Sequence, residues 1–181
     1  MADVTFYLPT DRPYGALSNY FPRAITLDGL AYASSEHAFQ AAKARDPAVR
    51  AWIMAAPTAI LAAVAGDALG ETDTVPDWAQ AMVPLMRTIL RAKFAQHADL
   101  GALLLGTGQA RLVEVAPQDN SVNRYWSEVN GAGQNILGKL LMEIRGELEA
   151  CAPRASSDTS RSARKQKRAG YIQRASRRDR R

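Results

Sequence analysis

The chain has 181 residues, 47% of them hydrophobic, which is typical of one domain with its own hydrophobic core. One cysteine, two histidines and the lack of any apolar run near the roughly 20 residues of a membrane span exclude an internal disulfide, a metal site of recognised spacing and a transmembrane helix. The net charge of +5 comes from residues 152–181, which carry 11 Lys and Arg against 2 Asp, so it does not indicate a basic nucleic-acid-binding domain.

The first 32 residues predict short strands around a long loop. Residues 4–8 favour a strand, and residues 24–27 and 30–32 flank the pair Asp28-Gly29, which favours a tight hairpin turn. Residues 10–22 lack periodicity and carry two prolines, so they predict an ordered loop packed by its own aromatic side chains. A small antiparallel sheet is therefore expected.

Three short helices are predicted next, each by its N-terminal signal. Ser34 can cap a helix that runs to about residue 45. The pair Asp46-Pro47 can start a second helix through residue 54, and Thr58 precedes an alanine-rich third.

The C-terminal half predicts two longer helices and one strand. Residues 77–94 carry an apolar stripe, residues 100–105 favour a short helix, and residues 111–115 favour a strand that could join the sheet. Asn135 caps a final helix whose apolar spacing predicts a central position. The fold class is α+β: a mainly α-helical single domain with a small antiparallel sheet.

A stripe of polar side chains marks the first candidate site. Glu36, Gln40 and Lys43 lie at i, i+4 and i+7, so they share one face of the helix that begins near Ser35. Helical periodicity alone favours a solvated stripe, whereas the nearby Phe39 favours a pocket wall. His37 either assists acid–base chemistry or hydrogen-bonds a neighbouring loop.

The second candidate region, residues 119–135, is at once polar, aromatic and rich in glycine. Free backbone N–H groups at the helix that Asn135 caps could bind a phosphate, and Tyr125 or Trp126 could stack on a base. A glycine loop before a capped helix is also common in proteins that bind no ligand.

Three motifs together resemble the NADAR (YbiA-like) N-glycosidase family. They are Ser-Ser-Glu-His-Ala-Phe-Gln-Ala-Ala-Lys at 34–43, the helix at 78–94 that ends Leu-Arg-Ala-Lys-Phe, and Gly-Gln-Asn-Ile-Leu-Gly-Lys-Leu-Leu-Met-Glu-Ile-Arg at 133–145. Their order and spacing match across nearly all of residues 4–150, so residues 1–150 are interpreted as the domain and 151–181 as a tail. The resemblance implies the family's mixed, mainly helical fold.

The resemblance also implies cleavage of N-glycosidic bonds to ribose. The substrate would be an ADP-ribose adduct, such as ADP-ribosylated guanine of DNA or RNA, or a ribosylamine intermediate of the riboflavin pathway. By position, Glu36 would be the catalytic carboxylate, Trp126 part of the pocket and Asn19 a residue that shapes it. Lys43 would attack covalently or, alternatively, bind phosphate or the leaving base as a cation. The remaining candidate substrate contacts are His37, Gln40 and Asn135.

The late part of the site departs from the family pattern. Family members usually have an acidic residue three positions before the late tryptophan and a glycine after it, whereas this chain has Asn123 and Ser127. Asp119 or Glu128 could substitute, and Asp119 is taken as the third catalytic candidate. The alternative is a binding module that keeps the ADP-ribose pocket without turnover.

The composition of residues 151–181 predicts a basic, disordered tail. It would anchor nucleic acid through residues such as Arg164, Lys165, Lys167 and Arg168, or serve only as a solvated segment. If the resemblance is set aside, the chain could be a helical nucleic-acid-binding protein that acts through this tail. The N-terminus lacks the pattern of a signal peptide, and a lone cysteine fits a reducing compartment, so a soluble cytoplasmic protein without a cofactor or membrane partner is expected.

Overall fold

The computed structural model describes residues 2–151, so the predicted nucleic-acid contacts Arg164, Lys165, Lys167 and Arg168 lie outside the described residues. The strands of the described part are β1 Val4–Phe6, β2 Ile25–Leu27, β3 Leu30–Tyr32 and β4 Leu112–Glu114. Its helices are α1 Ser35–Lys43, α2 Pro47–Met54, α3 Ala59–Asp67, α4 Trp78–Gln96, α5 Ala98–Gly106, α6 Ser121–Trp126 and α7 Ile136–Cys151. None of these helices is long and apolar enough to cross a membrane.

The four strands form two separate pairs. Strands β2 and β3 make the predicted antiparallel hairpin, with positive φ angles at Asp28 and Gly29 in the turn. Strand β1 does not join this hairpin; it pairs in parallel with β4, so that Phe6 lies opposite Glu114. All three residues of β4 are buried, which explains why β4 is apolar on both faces apart from Glu114, whereas Thr5 of β1 is exposed.

The side chains predicted to cap the first three helices do so in the structure. Ser34 Oγ accepts the His37 backbone N–H at 3.3 Å, Asp46 Oδ1 accepts that of Ala48 at 2.7 Å, and Thr58 Oγ1 accepts that of Leu61 at 3.2 Å. The predicted helix starts at residues 34, 46 and 58 are therefore confirmed. Helix α6 was not predicted, because its six residues are too few to show a periodic pattern.

Helices α1 and α3 approach each other closely at Gly66. A Cβ atom at Gly66 would overlap the Gln40 side chain, so any other residue there would have to displace Gln40. The approach buries α1 on nearly all sides and turns its polar stripe toward the interior.

Helices α4 and α7 supply the centre of the core, as the apolar spacing of α7 predicts. Their fully or almost fully buried side chains belong to one hydrophobic cluster. The members are Met86, Ile89, Leu90 and Phe94 from α4 and Leu137, Leu140, Leu141 and Ile144 from α7.

Candidate active site

A cavity of about 190 Å³ lies where α1, α3, α4, α6 and the parallel strand pair meet. It combines an aromatic wall, several polar groups and the three acidic side chains of Glu36, Asp67 and Glu114. Its lining residues are Tyr7, Asn19, Tyr20, Glu36, Phe39, Gln40, Lys43, Ala63, Asp67, Trp78, Met82, Met86, Glu114, Val122, Asn123, Trp126, Ser127 and Leu137. The polar stripe of α1 thus forms a pocket wall and not a solvated surface.

Glu36 is held inside this cavity by Gln40. Its exposed fraction is 6%, and Gln40 Nε2 donates a hydrogen bond of 2.8 Å to Glu36 Oε1. Burial raises the pKa of Glu36 to about 7. The Gln40 hydrogen bond and the positive charge of Lys43 lower it, and the negative charge of Asp67 raises it further. Glu36 therefore titrates near neutral pH, where it can change its charge within the working range.

Lys43 lies at the rim of the cavity, at the end of α1. Its Nζ donates to the Gly66 carbonyl at 2.8 Å and lies 3.7 Å from Asp67 Oδ1. Both contacts come from the end of α3, so the amine is fixed beside the entrance and close enough to Glu36 to act on its charge.

Glu114 is a second buried carboxyl group, which the sequence analysis missed. It ends strand β4, is 8% exposed, and accepts a hydrogen bond of 2.6 Å at Oε2 from Ser127 Oγ. Burial raises the pKa of Glu114 to about 7; the Ser127 hydrogen bond lowers it and the negative charge of Glu36 raises it further. The only signal in the sequence was an acidic residue inside an otherwise apolar strand, a pattern that is rare unless the residue has a function.

Aromatic rings form the wall opposite the polar groups. The Phe39 ring lies 5.4 Å from the Trp126 ring at a nearly perpendicular angle, and 5.0 Å from the Trp78 ring, between centroids. Two tyrosines, Tyr7 and Tyr20, pack edge to face at 6.1 Å and also line the cavity. The tilted rings make this side of the cavity largely apolar, and the face of one of them could stack on a planar base.

Several predicted residues converge on the cavity. Asn19, Glu36, Gln40, Lys43 and Trp126 line it together, although three different parts of the chain supply them. Asn19 donates weakly to Met86 Sδ at 3.4 Å, and its buried Oδ1 has no hydrogen-bond partner within residues 2–151.

Asp119 and Glu128, the two proposed substitutes for the missing acid, lie elsewhere. Asp119 is exposed and accepts a hydrogen bond of 2.6 Å from Arg124, which together with the Arg124 charge lowers the pKa of Asp119. Glu128 pairs with Arg111. Neither carboxylate lines the cavity, because a nearby arginine holds each one outside it.

His37 and Asn135 make contacts that support the fold around the site. His37 bonds Ser34 Oγ at 2.7 Å and the Ala56 carbonyl at 3.0 Å, which agrees with its predicted loop contact. The Asn135 side chain donates to the Leu112 carbonyl at 2.8 Å and accepts the Glu114 backbone N–H at 3.2 Å. Asn135 therefore fixes the strand that carries Glu114, and neither side chain lines the cavity.

A second, open cavity of about 600 Å³ adjoins the first and shares Lys43 and Trp78 with it. Arg45 also lines this groove, together with the acidic residues Glu71 and Asp77. In residues 2–151, no group of three His, Cys, Asp or Glu side chains is arranged to hold a metal ion.

Comparison with known proteins gives matches across almost the whole described part. The NADAR domain matches residues 5–149. The N-glycosidase YbiA of Shigella flexneri is 40% identical over 149 residues, which cover 80% of this chain and 88% of that protein. A riboflavin biosynthesis protein of Vibrio vulnificus is 35% identical over 151 residues, which cover 83% of this chain but 40% of that protein.

The solved structures include a relative with the same fold. The NMR structure of the Escherichia coli protein YbiA superposes with a TM-score of 0.72 at 36% identity, and the match covers 87% of this chain and 93% of that one. The predicted α+β, YbiA-like fold class is thereby confirmed.

Proposed function

The chain belongs to the NADAR domain family, and from this premise we propose that it removes ADP-ribose from a base adduct such as ADP-ribosylated guanine. Its relatives are named N-glycosidases, and the chain is accordingly a hydrolase of glycosyl bonds. One observation carries the proposal: the buried carboxyl of Glu36 faces an aromatic wall inside a cavity with Lys43 at its rim.

The chemistry of ribosyl transfer to water suits this arrangement. Breaking a ribosyl C–N bond builds positive charge at the anomeric carbon, and a nearby carboxylate stabilises that charge more strongly in a buried site than in water. Ionised Glu36 would supply this stabilisation and orient the attacking water, while Trp126 and Phe39 would hold the base. Gln40 keeps the Glu36 carboxylate in place.

Two roles are compatible with the position of Lys43. As a cation it would bind a phosphate, from a position fixed by its contacts with the Gly66 carbonyl and Asp67. As a neutral amine it would attack a ring-opened anomeric carbon and form a Schiff base. Borohydride reduction during turnover separates the two: a trapped adduct that Lys43→Arg abolishes identifies the nucleophile, and a reaction without an adduct identifies the cation.

The groove beside the cavity favours a large substrate. A ribosylamine would occupy the cavity of about 190 Å³ alone, whereas ADP-ribose needs further room for its second phosphate and adenosine. The adjoining groove of about 600 Å³, entered past Lys43, supplies that room, and Arg45 adds a second cation. The basic segment 152–181 supports a substrate carried on DNA or RNA, since each phosphate contact releases counterions, and we place the protein in the cytoplasm.

The second candidate function is hydrolysis of a ribosylamine intermediate of riboflavin biosynthesis. It is supported by the name of the Vibrio vulnificus relative, a riboflavin biosynthesis protein, which is 35% identical to this chain. A third candidate is an ADP-ribose-binding module without turnover, which the loss of the family's late acidic residue at Asn123 supports.

Mass spectrometry tests these candidates directly. The protein is incubated with DNA that carries ADP-ribosylated guanine and, separately, with the ribosylamine substrate. We expect free ADP-ribose and unmodified guanine, with activity reduced at least about 100-fold in Glu36→Gln. Glu149→Gln, an exposed glutamate on α7, serves as the matched control and should match the wild type. Cleavage of the ribosylamine alone would assign the metabolic function, and binding of ADP-ribose without cleavage would assign the binding module.

A further inference from the structure

We infer that Glu114 is the general acid of this reaction and that the Ser127 hydroxyl is the positioning group that aims its carboxyl at the leaving nitrogen. The inference rests on the proposed N-glycosidase function and adds the proton donor, which neither the motifs nor the predicted residues supply. The first observation is that Glu114 is buried. A buried carboxyl group without a cation partner destabilises a fold, and Glu114 forms no ion pair within residues 2–151.

The surroundings of Glu114 show that its burial is arranged and not incidental. Asn135 accepts the Glu114 backbone N–H, and the Glu114 carbonyl accepts the backbone N–H of Glu128 at 2.8 Å. Ser127 is fixed as well, because its N–H donates to the Asn123 carbonyl at 2.8 Å and its carbonyl accepts the Asn135 N–H at 3.2 Å. Backbone contacts thus hold both side chains at one place on the cavity wall.

The environments of the two carboxyl groups differ in a way that assigns their roles. Glu36 accepts a hydrogen bond from the Gln40 amide nitrogen, which can only donate and therefore favours the ionised carboxylate. The charge of Asp67 opposes ionisation of Glu36, and the charge of Lys43 favours it. Glu114 faces only a hydroxyl, which can donate or accept a hydrogen bond. When the pair holds one proton, that proton therefore resides on Glu114.

The hydrolysis that these roles describe consumes only the ribosyl substrate and water. The bond from the anomeric carbon to the base nitrogen breaks, its electron pair goes to the nitrogen, and the Glu114 carboxyl gives that nitrogen its proton. Ionised Glu36 stabilises the oxocarbenium ion. Water then adds to the anomeric carbon and returns a proton to the Glu114 carboxylate, which restores the resting state.

A pH profile distinguishes an acid catalyst from a structural residue. The titratable groups that line the cavity with Glu114 are Tyr7, Tyr20, Glu36, Lys43 and Asp67. Burial raises the pKa of both tyrosines, so they stay neutral over the working range. Deprotonation of Glu114 should therefore set the alkaline limb of kcat/KM, and ionisation of Glu36 the acid limb.

The test compares Ser127→Ala and Glu114→Gln with the wild type on the substrate that the wild type cleaves. Ser127→Ala removes the hydrogen bond that lowers the pKa of Glu114, so its alkaline limb should move upward by about half a pH unit or more. Glu114→Gln keeps the shape and the bond to Ser127 but cannot give a proton, so kcat should fall about 100-fold or more and the alkaline limb should disappear. Ser121→Ala, at an exposed serine of α6, is the matched control and should keep the wild-type profile.

The outcomes separate this inference from the function on which it rests. A wild type that cleaves no ribosyl substrate would contradict the proposed function itself. If the wild type is active, either of two results would overturn the role of Glu114. One is an unchanged alkaline limb in Ser127→Ala, and the other is a kcat of folded Glu114→Gln within twofold of the wild type. Circular dichroism of each variant checks folding, and because Ser127→Ala alters no charge, it keeps the test decisive if Glu114→Gln does not fold.

Discussion

Gln40 controls the charge of Glu36 through a single hydrogen bond. The 2.8 Å hydrogen bond from Gln40 lowers the pKa of Glu36. Gln40→Met keeps the length of the side chain but removes this bond. The pKa of Glu36 should therefore rise, so activity at pH 7 should fall severalfold, while the alkaline limb that Glu114 sets stays in place. The measurement is kcat/KM as a function of pH, in which the acid limb should shift to higher pH.

Gln118→Met is the control for this change, because Gln118 is exposed and only its backbone carbonyl forms a hydrogen bond, to Asn123. Its profile should match that of the wild type. An acid limb that stays in place in Gln40→Met would mean that Glu36 is not the group that must ionise.

At the residue scale, the sequence predicted the part of the site that lies on one helix. The spacing of Glu36, Gln40 and Lys43 within α1 depends only on helical geometry, so it could be read directly. The role of Glu114 could not be predicted in this way, because its burial and its hydrogen bond to Ser127 depend on how β4 packs against distant segments. Asp119 was selected by sequence position, but Arg124, five residues away, pairs with it at the surface.

At the scale of elements, the approach of α3 to α1 holds the site together. Gly66→Ala places a methyl group against the Gln40 amide, which is itself bonded to Glu36. We expect a loss of about 1–3 kcal/mol in the free energy of unfolding from overpacking, and a loss of activity beyond that expected from the unfolded fraction. Urea denaturation and kcat at a temperature where the variant is folded measure the two effects.

Gly146→Ala gives the matched control for the glycine. Gly146 also lies inside a helix, and a Cβ atom there would meet no neighbouring atom within 4 Å. It should leave activity unchanged and raise the free energy of unfolding by up to about 1 kcal/mol, since alanine favours a helix over glycine. If Gly66→Ala behaves like Gly146→Ala, the tight contact between α1 and α3 is not required.

The elements themselves were more predictable than their pairing. Caps and turn residues act locally, so the starts of α1, α2 and α3 and the β2–β3 hairpin could be read from short segments. The parallel pairing of β1 with β4 joins Val4 to Leu112, and no local signal specifies so distant a partner. The cavity lies at this junction, which is why the sequence predicted some of its residues but not its enclosure.

For the whole molecule, the buried titratable groups should produce an unusual dependence of stability on pH. Burial raises the pKa of Glu36 and Glu114 from 4.5 to about 7, so the folded state binds more protons than the unfolded state between those values. Their contribution to stability is therefore present below pH 4.5 and lost as the pH rises to 7. These two groups alone make the protein less stable at neutral pH than at pH 5.

Lys93 reverses the trend above neutral pH. It is 1% exposed, and its Nζ donates to the Ser18 carbonyl at 2.8 Å. Burial, with a smaller effect of the Arg23 charge, lowers the pKa of Lys93 from 10.5 to about 7. The unfolded state then binds more protons between pH 7 and 10.5, so stability should rise with pH there, by about 1.4 kcal/mol per pH unit at most.

Lys93→Met should remove this rise, because methionine fills a similar volume without a titratable group. The free energy of unfolding, measured by urea denaturation at pH 7, 8 and 9, should increase in the wild type and stay nearly constant in the variant. Lys139→Met, at an exposed lysine of α7, should keep the wild-type slope. A Lys93→Met variant with the wild-type slope would show that another group binds the protons. A constant wild-type stability would show that the Lys93 amine stays charged beside the Ser18 carbonyl, as an ammonium donor to the loop that carries Asn19 and Tyr20.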